Sequence, residues 1–159
     1  MMFKKIILAI CLCLGLVACS TSQTPDVTFH TLDGKELNLS DLKGKVVYLK
    51  FWATSCTTCV RMMPQNIRDY EKYHDKGLET IAVAMSYDPK TFVQNFADAH
   101  QLPFIVALDS DGSIAKAFDN VRYTPVAFLI DKKGNIIKRL VGDYNHEEFI
   151  PLLEKALAE

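Results

Sequence analysis

The chain has 159 residues, a formal net charge of −1 at pH 7 and 49% apolar residues. That length suits one globular domain, and the composition excludes a disordered, coiled-coil, collagenous or multi-pass membrane chain. No Lys/Arg run exceeds two residues, so the chain lacks the basic footprint of a nucleic-acid binder and no such partner is expected.

Lys4 and Lys5 precede Ile6–Val17, a stretch of 12 residues without charge. As a helix it would span about 18 Å, against a hydrocarbon core of about 30 Å. Residues 1–18 therefore read as a signal peptide rather than a membrane-spanning anchor. The segment ends Leu16-Val17-Ala18-Cys19-Ser20 and resembles the lipobox of bacterial lipoproteins, in which the cysteine is lipidated and becomes the mature amino terminus. The alternative is an ordinary signal peptide, with Cys19 a plain thiol. The resemblance implies a protein of the bacterial cell envelope, lipid-anchored and facing the periplasm, with Ser20 leaning towards the outer membrane. Residues 19–25 then form a lipid-bearing cysteine and a small polar tether, and residues 26–159 the folded domain. Cys11 and Cys13 leave with the leader, so Cys56 and Cys59 are the cysteines of that domain, in an oxidising compartment.

Along the domain, Val27–Thr31 and Glu36–Leu39 flank Asp33-Gly34, the signature of a hairpin. Ser40–Lys43 reads as one helical turn. Lys45–Ala53, rich in β-branched and aromatic residues, reads as a central strand. Val60, Met63, Ile67 and Tyr70 recur at helical spacing up to Gly77, with Pro64 inside that helix and expected to bend it. Thr80–Met85 is an apolar run suited to a strand covered on both faces. Asp88-Pro89 predicts the start of a helix, with Asp88 as its cap and Phe92, Phe96 and Ala99 on one side. Phe104–Leu108 is another strand, and Ile114–Phe118 a short helix. Val126–Ile130 and Ile136–Val141 form a hairpin through Lys133-Gly134-Asn135. A last helix begins with Asn145 and Glu148 as a capping box, and buries Phe149, Leu152, Leu153, Ala156 and Leu157. This order implies an α/β fold, a central mixed sheet flanked by helices on both faces with a β-hairpin at its start.

The chemistry sits in Phe51-Trp52-Ala53-Thr54-Ser55-Cys56-Thr57-Thr58-Cys59, which follows a strand and opens a helix. Two thiols at this spacing can close a small ring. At a helix start, free N–H groups and the positive end of the dipole stabilise a thiolate, which takes a cysteine pKa from about 8.5 into a range of about 3.5–7.5. Cys56 is thus the candidate attacking nucleophile, and Cys59 the resolving thiol that closes a redox disulfide with it. Zinc binding lacks a second cysteine pair, since His30, His74, His100 and His146 are scattered. Haem attachment needs a histidine where Val60 stands. An inert disulfide of this size would staple almost no chain.

This element, with Pro64 five residues on, resembles the thioredoxin superfamily. The opening hairpin, the helix near residues 88–100 and Thr124-Pro125-Val126-Ala127-Phe128-Leu129-Ile130-Asp131 narrow the resemblance to exported TlpA/ResA-like thiol:disulfide oxidoreductases. It covers about residues 26–157 and implies a thioredoxin-like fold. It also implies a cis bond before Pro125, with Thr124 and Pro125 placed to bind substrate beside the cysteines. Trp52 matches the aromatic flanking the site, although core packing is an equal reading of that residue. Two carboxylates of the pattern are missing. Thioredoxins place a buried Asp two residues before the Trp, where this chain has Lys50. ResA-like proteins often place a Glu three residues after the second Cys, where this chain has Met62. Lys50 shares the Trp52 face of its strand. There it either modulates the thiol pKa from a desolvated position or snorkels to solvent past the sheet edge.

The function implied is thiol–disulfide exchange on disulfide-bearing envelope proteins, in the direction of reduction, with a membrane electron donor restoring the dithiol. No cofactor and no resident metal are implied, and a monomer is expected. Two other readings stand beside it. A copper-carrying chaperone would use the two thiolates as soft ligands. A peroxiredoxin would need Pro and Thr where this chain has Leu49 and Ala53.

Overall fold

The computed structural model describes residues 22–159, so the leader 1–18, Cys19 and Ser20 lie outside the described residues. The strands are β1 (Ser22–Gln23), β2 (Thr28–Thr31), β3 (Glu36–Asn38), β4 (Val46–Trp52), β5 (Leu78–Ala84), β6 (Ile105–Leu108), β7 (Val126–Ile130) and β8 (Asn135–Val141). The helices are α1 (Thr57–Tyr73), α2 (Lys90–Ala99), α3 (Ser113–Ala117) and α4 (His146–Ala158). The strands form one mixed sheet in the order β1-β8-β7-β4-β5-β6-β2-β3. β4, β5 and β6 run parallel, as crossovers through α1 and α2 require, and the hairpins at both ends of the domain are antiparallel.

β4 lies near the middle of the sheet, and all seven of its residues are buried. Their alternation divides the core. Val47, Leu49 and Phe51 pack with Phe118, Phe128 and Ile114 on the α3 face. Val46 and Tyr48 pack with Phe149 and Leu153 of α4, and Trp52 packs with Cys59 and Met63 of α1 and Val93 of α2. Helices on both faces make β4 a buried central strand, as its β-branched and aromatic run predicts. Pro64 sits inside α1, which continues through it to Tyr73. Gly77, at φ 101°, ends the following turn in the left-handed conformation that only glycine adopts freely.

Several expectations need correction. Ser22–Gln23, expected to be tether, pairs with Ile136 and Asn135, and the Thr24 N–H donates to the Gly134 carbonyl at 3.0 Å. The exposed edge of β8 offers unpaired backbone groups that this segment satisfies. Asp88 does not cap α2. Pro89 holds that position with no side-chain bond, because the Asp88 carboxylate is engaged elsewhere. The buried stripe of α2 is centred on Val93, while Phe92 is 60% exposed and Ala99 faces solvent. In α1 the buried residues are Cys59, Met63, Asn66, Asp69 and Tyr73. Ile67 and Tyr70 of the predicted stripe lie at its margin. The Asn145 side chain caps α4 by accepting from the Glu147 N–H, and its amide donates to the Glu148 carboxylate. Leu152 is exposed.

Candidate active site

β4 ends at Trp52, and the chain then turns sharply into α1. The Cys56 N–H donates to the Ala53 carbonyl at 3.1 Å, closing the turn. Thr54 is tied from outside: its N–H and its hydroxyl both donate to the Asp88 carboxylate, each at 2.6 Å. Asp88 follows β5, so the loop beyond one parallel strand fixes the loop beyond its neighbour. Sequence reading missed this role. The Asp-Pro pair was a signal, but its local meaning as a helix start masked the long-range partner.

Cys56 and Cys59 are joined as a disulfide, with their Cα atoms 5.2 Å apart. Cys56 is the N-cap of α1, and its sulfur accepts from the Cys59 N–H at 3.1 Å. When the disulfide opens, that bond and the helix dipole stabilise negative charge on Cys56. The two sulfurs are not equivalent in access. Cys56 is half-buried, while Cys59 is fully buried against Trp52 and Met63.

The Thr124–Pro125 bond is cis. Val126 pairs with Phe51 across the antiparallel β4–β7 ladder, so Pro125 lies level with Trp52, at the end of the sheet where the cysteine loop departs. The Pro125 carbonyl accepts from the Gly142 N–H at 2.9 Å. Thr124 remains partly exposed, and its hydroxyl lies 3.4 Å from the Tyr87 hydroxyl. Tyr87 and Tyr123, the residue before Thr124, are both exposed aromatics.

Trp52 does not reach this surface. It is 0% exposed and stacks in tilted contact with Phe96, ring centroids 5.1 Å apart. Its place as a substrate-contacting aromatic is therefore corrected to core packing: its side chain points inward beneath α1 and α2.

Lys50 does not snorkel. It is 1% exposed, with Nζ donating to Oδ1 of Asn66 at 2.6 Å and lying 3.5 Å from the Cys59 carbonyl oxygen. Burial disfavours its charged form and lowers its pKa from 10.5 to about 7, against a weaker opposing pull from Asp143. Its partner Asn66 is a polar residue on the buried face of α1. That polar position in an apolar stripe was the available signal for it in the sequence.

The Redoxin family model matches residues 20–157. The chain is 38% identical over 133 residues to the thiol-disulfide oxidoreductase ResA of Bacillus thuringiensis subsp. konkukian, covering 84% of this chain and 76% of that protein. A putative thioredoxin from Neisseria meningitidis superposes with a TM-score of 0.81 at 33% identity, covering 87% of this chain and 92% of that one. An exposed lipoprotein thioredoxin from Streptococcus pneumoniae superposes with a TM-score of 0.72 at 26% identity, over 82% and 99%. With the strand–cysteine loop–helix geometry, these likenesses establish the chain as a member of the Redoxin family, a ResA-like thiol–disulfide oxidoreductase on a thioredoxin-like fold.

Proposed function

We propose that the protein is a lipid-anchored reductase of disulfides in partner proteins of the bacterial cell envelope. The observation that carries the reading is the unequal exposure of the two sulfurs at the head of α1. In the reduced protein the Cys56 thiolate attacks a sulfur of the partner's disulfide. One partner sulfur leaves as thiolate and takes a proton, and the other is bonded to Cys56. Cys59 then loses its proton and attacks the Cys56 sulfur, closing the Cys56–Cys59 bond and expelling the second partner thiolate. The partner gains two electrons and the cysteine pair loses two. A dithiol electron donor at the membrane restores the pair by the reverse exchange. An extended partner segment would lie along Thr124–Pro125, with the missing proline N–H marking the end of its pairing. Lys50 is a modulator of the pair's ionisation.

The leader, Cys19 and the polar Ser20 support an envelope address with lipid as the membrane link and a lean to the outer membrane. One structural relative is itself described as an exposed lipoprotein. Among the described residues no helix is long and apolar enough to cross a membrane.

Insulin reduction by the wild type and by Cys56→Ser and Cys59→Ser variants tests the chemistry. Both variants should lose turnover, and Cys59→Ser should accumulate partners bonded to Cys56. Turnover surviving in both would sink the reading. Mass spectrometry of the mature terminus tests the address, and an unmodified Cys19 would remove the lipid anchor.

A further inference from the structure

At the end of the sheet opposite the cysteines, the turn before β4 meets the turn between β7 and β8, where the Gly44 N–H donates to the Lys132 carbonyl at 2.8 Å. A cavity of about 280 Å³ opens at this corner. Leu39, Leu42, Val47 and Ile130, all buried, give it an apolar lining, and the exposed Lys43 and Lys133 stand in its wall. The nearby charges are largely committed. Asp131 is turned into its own loop, accepting from the Lys133 and Asn135 N–H groups and from the Asn135 amide. Lys45 pairs with the buried Glu79 at 3.2 Å, and the Lys132 ammonium donates to the Leu157 carbonyl at 2.7 Å. Asp26 is the other carboxylate of the lining. Among the described residues Lys43 and Lys133 belong to no ion pair. An apolar pocket with two uncommitted cations in its wall suits an amphiphile with an anionic head.

The chain arrives from its leader at this same corner. Ser22 and Gln23 pair with Ile136 and Asn135, the Thr24 N–H and hydroxyl both donate to the Gly134 carbonyl at 3.0 Å, and residues 23–26 complete the cavity wall. Two residues, Ser20 and Thr21, separate Cys19 from β1. The Cys19 Cα therefore lies within about 11 Å of that of Ser22, the reach of three extended residues. A lipid on Cys19 brings bilayer headgroups to this corner, and lysines beside a lipid anchor add attraction to anionic ones. We propose that the cavity is a docking site for the headgroup of anionic phospholipid, with Lys43 and Lys133 on the phosphate and the apolar lining against the glycerol and first acyl carbons. This rests on the lipid anchor proposed above and assigns what the anchor alone leaves open, the face of the domain that meets the bilayer. β4 runs about 20 Å from this corner to Trp52, so the docked domain presents Cys56 to the aqueous compartment, the side from which partner and electron donor reach it.

Amine acetylation read by mass spectrometry identifies the docked face of the lipidated protein on vesicles. With phosphatidylethanolamine and phosphatidylglycerol, Lys43 and Lys133 should react at least about fivefold more slowly than with phosphatidylcholine alone. Lys90, in the first turn of α2 at the cysteine end, should react equally on both. High salt should restore the reactivity of the two lysines. In the Lys43→Glu, Lys133→Glu double variant, Lys45 and Lys132 should show no difference between the two vesicles, while insulin reduction stays at the wild-type rate. Equal reactivity of Lys43 and Lys133 on both vesicles, equal slowing of Lys90, or a vesicle difference that survives in the double variant overturns the proposal and leaves the lipid anchor intact. A chain that leaves the vesicles with Cys19 unmodified overturns both.

Discussion

The carboxylate of Asp88 accepts from both the backbone N–H and the hydroxyl of Thr54, locking the cysteine loop to the chain that follows β5. Both bonds are charge-assisted and partly shielded from water, the regime in which a hydrogen bond contributes most. Asp88→Ala should destabilise the domain by about 1–3 kcal/mol in urea unfolding. It should also lower insulin reduction by about tenfold or more, because the loop that aims Cys56 loses its tie. Asp88→Asn, which keeps one acceptor oxygen, should fall between. Wild-type activity in Asp88→Ala would show that the turn holds itself.

Asp109 offers a control of the same chemistry away from the sulfurs. It is buried, and its carboxylate oxygens accept from the Ile114 and Ala115 N–H groups at 2.9 Å each, anchoring the start of α3. Asp109→Ala should destabilise by about 2–3 kcal/mol, and the folded variant should reduce insulin at the wild-type rate. A selective loss of activity in fully folded protein would contradict this.

Lys50 makes stability depend on pH in a stated direction. In the unfolded chain the amine holds its proton up to about 10.5, whereas in the folded chain it releases it near 7. Between those values unfolding takes up a proton, so this residue's contribution to stability rises with pH. Lys50→Met should be more stable than the wild type at neutral pH, by about 1–4 kcal/mol. That advantage should shrink steadily as the pH is raised towards 10. Urea midpoints measured across this range check it, and a constant difference would show that the lysine stays charged in the fold.

Two aromatic residues that look alike in the sequence should respond oppositely. Trp52→Ala removes a fully buried ring from contact with Phe96, Cys59 and Met63, and should destabilise by about 3–5 kcal/mol. Phe92→Ser alters an exposed position of α2 and should stay within about 0.5 kcal/mol of wild type. Thermal melts of the oxidised proteins distinguish them.

Signals carried by near neighbours were legible from the residues alone. The Asp33-Gly34 and Gly134-Asn135 turns, the β-branched run at residues 45–53 and the alternation of strands and helices determine the mixed sheet, because periodicity and turn chemistry act over a few residues. The same holds for the cysteines: their spacing after a strand and before a helix already places one sulfur at a helix N-terminus and the other one turn inside. What a polar side chain meets across the fold is decided by packing between distant segments. Asp88 reads locally as a helix cap but turns to Thr54, 34 residues away. Ser22–Gln23 read as tether but complete the open edge of β8. Trp52 is drawn inward by the helices that cover it. The position of Lys50 on the strand allowed either solvent or core, and only the closure of the helices over that face shuts the amine in with Asn66.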